Sequence, residues 1–320
     1  MKTTKILLIA LLTILFVPYC YSQTITVADT YKMDKSVPAG NYSGITSINL
    51  PNHYALVNDK AVQDGFQIFF IQLDTINGHV VRIEDKGMRN SHLPNRDEEG
   101  IAYDPHRQRI YISGENDNRI LEYTLEGIYT QRSTPSLITH GPINSGIEAL
   151  CYDPINQCLW SMEENNGRDS CAIFRISIPD LNPTLQGFYP VDKAVAKKKS
   201  RWHTLGVSSI LMYDSTRILV LERELFVPKK KIGAWSHVKI YLYDLSTNPT
   251  HNTSSQTMIK KLLWEERTKL NITNRSYANY EGMAWGPTLS NGKKTLLVVA
   301  DSQNRYKGVL HDWLKILTIQ

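Results

Sequence analysis

The chain has 320 residues, with 36 Lys plus Arg against 31 Asp plus Glu and a formal net charge of +5. Hydrophobic residues make up 42%, with 18 Gly and 14 Pro, which excludes a disordered, collagenous or low-complexity protein, and four cysteines exclude a disulfide scaffold. The charge surplus is too small to point to nucleic acid, and 17 Tyr and 6 Trp without a sustained helical period favour β structure.

Residues 1–22 read as a secretory signal. Lys2 and Lys5 precede an apolar core, Ile6–Val17, and Cys20-Tyr21-Ser22 follows it as a cleavage region. The core is shorter than the ~20 residues of a spanning helix. Lipid attachment at Cys20 is disfavoured by the bulky Tyr19 before it. Residues 23–320 are then expected as one exported domain, periplasmic or secreted, with 34 basic and 31 acidic residues. Cys151, Cys158 and Cys171 remain, and an oxidising setting permits one disulfide, Cys151–Cys158 or Cys158–Cys171.

Further along, the chain repeats itself. Glu99-Gly-Ile-Ala-Tyr-Asp-Pro105 returns as Glu148-Ala-Leu-Cys-Tyr-Asp-Pro154 and as Glu281-Gly-Met-Ala-Trp-Gly-Pro287. Gly206-Val-Ser-Ser-Ile-Leu-Met-Tyr213 and Ser43-Gly-Ile-Thr-Ser-Ile48 are more diverged copies. Each is followed by a turn, a second apolar run and a third, and a fourth fits before the next copy. A period of about 50 residues with four strands predicts an all-β fold, a single β-propeller of four-stranded blades. Five blades are favoured, and the gap from 246 to 281 leaves room for a sixth. The last copy lacks a fourth strand, which Thr24-Ile-Thr-Val27 can supply to close the ring.

In such a blade the first strand lines the central channel and the second returns beside it. Glu99, Glu148 and Glu281 open first strands, and Asp59, Glu115, Glu163, Glu222 and Asp301 end second strands, so these carboxylates are expected to converge on one mouth. Like charges ~4 Å apart at an effective dielectric of ~20 repel by roughly 4 kcal/mol. A bound cation, raised carboxyl pKa values or interleaved Arg and Lys would relieve that. Hard oxygen ligands in a flexible ring suit Ca²⁺, with Asp59, Glu99, Glu115, Glu148, Glu163, Glu281 and Asp301 as candidate ligands. Asn58, Asn116, Asn165 and Asn304 add neutral oxygens nearby. The simpler account, that each acid caps a strand end, weakens as the acids recur at one face.

Asn41-Tyr-Ser-Gly-Ile45, Asp97-Glu-Glu-Gly-Ile-Ala102, Gly146-Ile-Glu-Ala-Leu150, Gly206-Val-Ser208, Leu219-Val-Leu-Glu-Arg223, Tyr280-Glu-Gly-Met-Ala284 and Asp301-Ser-Gln-Asn304 occur in that order. Together they resemble the phytase-like family, described as having esterase-like activity of phytase, over about residues 40–318. The resemblance implies a hydrolase of ester bonds, phosphoesters above all, acting on a small molecule. It carries the functional roles onto Glu99, Glu148, Glu222, Arg223, Glu281 and Asp301. One carboxylate would serve as general base towards water, and Arg223, Arg201 and Arg305 would make forked contacts to phosphate. Ser208 departs from the pattern, standing where other blades place an acid.

Lys197-Lys-Lys199 and Lys229-Lys-Lys231 are candidates for a basic rim around that mouth, although such runs are commonly solvated loops. His203 and His140 are weaker candidates for a general acid. Two alternatives stand beside the phosphoesterase. One is a non-catalytic ligand- or partner-binding propeller using Trp160, Trp202, Trp235 and Trp285 as platforms; the other is a lactonase-type hydrolase of carboxylic esters.

Overall fold

A computed structural model describes residues 23–137, 146–165, 169–197, 200–247, 260–270 and 276–320. The expected signal (1–22), Cys20, His140 and Lys198-Lys199 lie outside the described residues. The first strand, β1 (Ile25–Lys32), precedes four sheets in chain order. Blade 1 holds β2 (Tyr42–Ser47), β3 (His53–Asn58), β4 (Gln63–Leu73) and β5 (Val80–Pro94), and blade 2 holds β6 (Glu98–Asp104), β7 (Arg109–Gly114), β8 (Arg119–Tyr123) and β9 (Tyr129–Ser133). Blade 3 holds β10 (Ile147–Asp153), β11 (Cys158–Glu163), β12 (Ser170–Ser177) and β13 (Asn182–Pro190). Blade 4 holds β14 (Trp202–Met212), β15 (Arg217–Val227), β16 (Trp235–Asp244) and β17 (Lys260–Lys269). Blade 5 is built from β18 (Asn279–Thr288), β19 (Lys294–Asp301), β20 (Trp313–Ile319) and, from the other end of the chain, β1.

The fold is therefore a five-bladed propeller. The room for a sixth blade is taken up by β17, the outer strand of blade 4. β1 pairs antiparallel with β20, from Ile25 opposite Ile319 to Lys32 opposite Trp313, and this closes the ring as expected. The innermost strands β2, β6, β10, β14 and β18 each touch the next around the channel.

Burial follows position in the blade. Every residue of β6 is buried, whereas β9 at the rim has none that is. Apolar side chains from adjacent blades interlock between sheets, as where Ile101 and Ile112 meet Ala55 and Phe66. The repeated Gly has a steric reason. A Cβ on Gly44 would sit 2.4 Å from the Glu99 carbonyl oxygen, and one on Gly100 would sit 2.7 Å from that of Glu148. In blades 1 and 2 the inner strand therefore abuts the next without room for a side chain, whereas blades 3 and 4 carry Ala149 and Ser209 there. The Asp-Pro turns lie at the opposite mouth. Asp104 accepts from the amides of His106 (2.8 Å) and Arg107 (3.2 Å), and Asp153 does the same for Ile155 and Asn156.

Cys151, Cys158 and Cys171 are free and buried, so neither expected disulfide is present. Cys171 donates to the Glu164 carbonyl, and the Arg175 guanidinium donates to Cys158 Sγ. No helix among the described residues is long and apolar enough to cross a membrane.

Candidate active site at the carboxylate mouth

Each inner strand carries a β-bulge at the same level. Pairing jumps from Tyr42 to Gly44, Glu98 to Ile101, Ile147 to Ala149, Val207 to Ser209 and Tyr280 to Gly282. The residues left out of the ladder are Ser43, Glu99 with Gly100, Glu148, Ser208 and Glu281. A bulge turns the extra residue away from the regular alternation. Here it delivers one side chain per blade to the mouth.

The second strands supply another ring. Ile45, Ile101, Leu150, Ile210 and Met283 pair with Leu56, Ile112, Ser161, Val220 and Val298. Three residues beyond those partners stand Asp59, Glu115, Glu164, Arg223 and Asp301. A third ring, two residues before the bulge, holds Asn41, Asp97, Gly146, Gly206 and Asn279. The mouth thus gathers Asp59, Asp97, Glu99, Glu115, Glu148, Glu164, Glu281 and Asp301 around Arg223, with Lys60 at its edge.

Two sequence expectations change with this register. Glu163 is paired with Ile147 and Glu222 with Val207, so both point to the face opposite the bulge residues. The Glu163 carboxylate accepts from the Ala172 amide at 2.8 Å. That of Glu222 accepts from the Tyr189 hydroxyl, the Asp192 amide and Lys260 Nζ, between blades 3 and 4. Their neighbours Glu164 and Arg223 face the mouth instead. Glu98, beside Glu99, is likewise turned away, accepting from the Arg96 amide at 2.7 Å.

Arg223 is buried and donates to Glu164 at 2.8 Å and to Glu281. Burial alone would weaken its hold on the proton, but the Glu164 and Glu148 carboxylates outweigh that and raise it. Asn279 Nδ2 also donates to Glu281, at 2.6 Å. Thr204 closes this side with a 2.8 Å hydrogen bond to Glu164. Arg305 does not reach the mouth centre: its guanidinium bonds Asp312 at 2.6 Å and the carbonyls of Asp34 and Val37. Arg201 is exposed at the start of the β14 segment, away from the acids. His203 bonds Glu224 at 3.0 Å. Asn165 donates to the Leu205 carbonyl, and Asn58 accepts from backbone amides. Asn41 and Asn279 are the carboxamides of the third ring, the first of which occurs in the sequence motif read above, and Asn118 Oδ1 lies beside Gly146 and Glu115.

The other half of the mouth is acidic. Carboxylate oxygens of Asp59, Asp97 and Glu99 all lie within 4.8 Å of one another. Lys60 pairs with Asp97 and lies 3.5 Å from Asp59, but its side chain is half exposed. Burial, then the Asp301 carboxylate, pushes the Asp59 carboxyl up to about 7. Glu99 is raised well above its ordinary range by burial and then by Glu148 and Asp59, and Glu148 by burial and then by Glu164. Burial also raises Glu115 and Asp301.

The donor set suits a hard divalent cation. It offers carboxylate and carboxamide oxygens and no thiolate or imidazole. Asn41 Oδ1, Asp59 Oδ1 and Asn279 Oδ1 are buried with no hydrogen-bond donor among the described residues. Unsatisfied buried acceptors beside crowded carboxylates are what a cation would relieve.

Fold and site together define a five-bladed propeller whose channel mouth is lined by bulge-borne carboxylates around one arginine. The chain belongs to the phytase-like family, described as esterase-like activity of phytase, whose sequence profile matches residues 37–303. None of the curated proteins matches the sequence. Among solved structures, the luciferin-regenerating enzyme is similar at 10% identity and a TM-score of 0.47, covering 91% of this chain and 95% of that one. Streptogramin B lyase is similar at 13% identity and a TM-score of 0.41, with 93% and 98% covered. The nidogen/laminin complex gives 11%, 0.44, 93% and 98%. Likenesses at these values carry no argument about chemistry.

Proposed function

We propose that the protein is a calcium-dependent phosphoester hydrolase acting at the carboxylate mouth. The observation that carries this is the close set of Asp59, Asp97 and Glu99 oxygens beside the donor-less Asn41 Oδ1. Asp59, Asp97, Glu99 and Asn41 would hold the cation, with Glu115 and Asp301 at its margin. When bound, it supplies charge neutralisation and Lewis acidity for the ester.

The chain's own residues do the rest. Glu148 lies between the cation half and Arg223, and burial and the Glu164 carboxylate raise its proton affinity, which makes it the first candidate to take a proton from the attacking water. Glu99 is the second candidate base. Arg223, fixed by Glu164 and Glu281, would turn a guanidinium edge to the phosphoryl oxygens as negative charge builds there. Purified protein assayed on phosphomonoesters, phosphodiesters and lactones, with Ca²⁺ or chelator, tests this. Turnover of a phosphoester that chelator abolishes is expected, and no turnover with the metal bound would overturn the hydrolase.

A second reading has one observation in its favour. Arg223 is already paired with two carboxylates, which suits an ester lacking phosphate, such as a lactone. Lactone turnover without phosphoester turnover would select it.

A further inference from the structure

Blade 4 does not end where the others do. Gly206 and Arg223 are paired at the level of the mouth, and the ladder continues outward through Leu205–Glu224, Thr204–Leu225, His203–Phe226 and Trp202–Val227. β16 and β17 extend alongside, to Trp235 opposite Lys269. Four further residue pairs at ~3.3 Å each make a tongue rising roughly 13 Å beyond the mouth. It is stiffened from within. Phe226 stacks on Trp235 with ring centroids 5.5 Å apart, the Arg267 guanidinium caps Trp235 at 3.9 Å, and Leu225, Ala234 and Tyr277 form a small core of their own.

The tip of this tongue is unlike the rest of the surface. The hairpin from Pro228 to Ala234 presents Lys229, Lys230, Lys231 and Ile232, and Arg201 and Trp202 lie beside it on the inner strand. Trp202 is 58% exposed and Ile232 61%. Trp160 and Trp235 are buried, and Trp285 bonds the Met212 carbonyl, so Trp202 is the one of the four candidate platforms that stands open. Lys231 reaches Tyr306, but Arg201, Lys229 and Lys230 have no ion-pair partner among the described residues. No acid occurs in the sequence from 225 to 237 or from 193 to 205.

We propose that the tongue tip is a docking surface for membranes rich in anionic phospholipid. The charge is complementary to such a surface, where each nearby Lys or Arg strengthens binding. An indole beside cationic side chains suits the headgroup level of a bilayer. Ile232 decides against a purely electrostatic partner such as an acidic glycan, because an exposed aliphatic side chain gains nothing from sugar or sulfate but gains by burial at the acyl boundary. The proposal stands independently of what the mouth hydrolyses.

The test is co-sedimentation of the full chain with vesicles of phosphatidylcholine, alone or with about one third phosphatidylglycerol. Binding to the anionic vesicles should be at least roughly tenfold stronger and should weaken with salt. Trp202→Ser with Ile232→Ser should lower it at least roughly tenfold, as should Arg201→Ser with Lys229→Ser and Lys230→Ser, with melting temperatures unchanged because all five side chains are exposed. Brominated acyl chains should quench tryptophan fluorescence of the unmodified protein, a readout that needs no variant. Equal binding to both vesicle types, or none, overturns the proposal. So does unaltered binding of the Trp202/Ile232 variant together with equally tight binding of heparin, which would make the tip a polyanion site.

Discussion

At the three ring positions that face the mouth, blade 2 carries Asp97, Glu99 and Glu115, whereas blade 4 carries Gly206, Ser208 and Arg223. In both, the first strand bulges at one level and the second strand passes beside it, although in blade 4 that strand runs on into the tongue. The two blades nevertheless bring opposite charge to one channel. The bulge fixes where a side chain points, and the residue placed there fixes the chemistry. Blade 4 gives up its acids and supplies the buried cation that pairs with Glu164 of blade 3 and Glu281 of blade 5, while the blade 1 and 2 carboxylates at the mouth make no ion pair with a buried base among the described residues.

The sharpest way to break this contrast is to discharge each half separately. Asp59→Asn with Glu99→Gln should lower calcium affinity by more than the roughly 10–100-fold typical of lost supporting contacts around a metal, as read by titration calorimetry. Glu164→Gln, on the arginine side, should leave affinity within about threefold. Equal losses would mean the mouth is one undivided site. Arg223→Ala should cost about 3–5 kcal/mol in urea unfolding at neutral pH, because it strands the Glu164 and Glu281 carboxylates. A loss below about 1 kcal/mol would show that the pair contributes nothing net.

Acidity tests the other half. Asp59 has its carboxyl at about 7 in the fold against ~3.9 in the unfolded chain, so the stability its protonated form lends is complete below about pH 4 and is lost as pH rises through about 7. The cation-free protein should therefore lose melting temperature between those values through Asp59, with Glu99 and Glu148 adding in the same direction. Saturating calcium should flatten the slope, and a slope unchanged by calcium would place the ion elsewhere. The smallest effect is expected outside the mouth. Glu222→Gln should cost roughly 1–3 kcal/mol by weakening the contact with Lys260 and leave calcium affinity unaltered. A fall in affinity would return Glu222 to the site.

Much of the fold was legible because each blade repeats the same burial problem, so Glu-Gly-Ile-Ala-Tyr-Asp-Pro recurs with its turn and its close-packed glycine. The closing role of the segment after residue 23 followed from counting strands. The site was only half legible. Glu99, Glu148 and Glu281 stood out by repetition. A bulge leaves no mark in residue type, however, and where two acids adjoin, as Glu163 and Glu164 do, only register tells which one faces the mouth. Asp97 and Asn41 were visible in their motifs, but the level at which they enter the ring was not. The tongue was hidden for a different reason. Lys229-Lys-Lys231 reads as an insertion in a loop, and nothing local says that the strands on either side continue past the mouth.

The seam between blades 5 and 1 has a further consequence. Asn41 forms an isolated bridge with Asp301, so residues from opposite ends of the chain meet within the proposed cation site. Asn41 and Asp59 belong to the first blade completed during synthesis, and Asp301 to the last. Asp301 thus joins the margin of the proposed site only when the seam closes. A chain lacking its final blade would keep Asn41, Asp59, Asp97 and Glu99 but lack the Asp301 carboxylate beside them, so calcium should bind it more weakly than the closed ring. In this architecture a bound cation would brace the seam as well as serve the proposed chemistry.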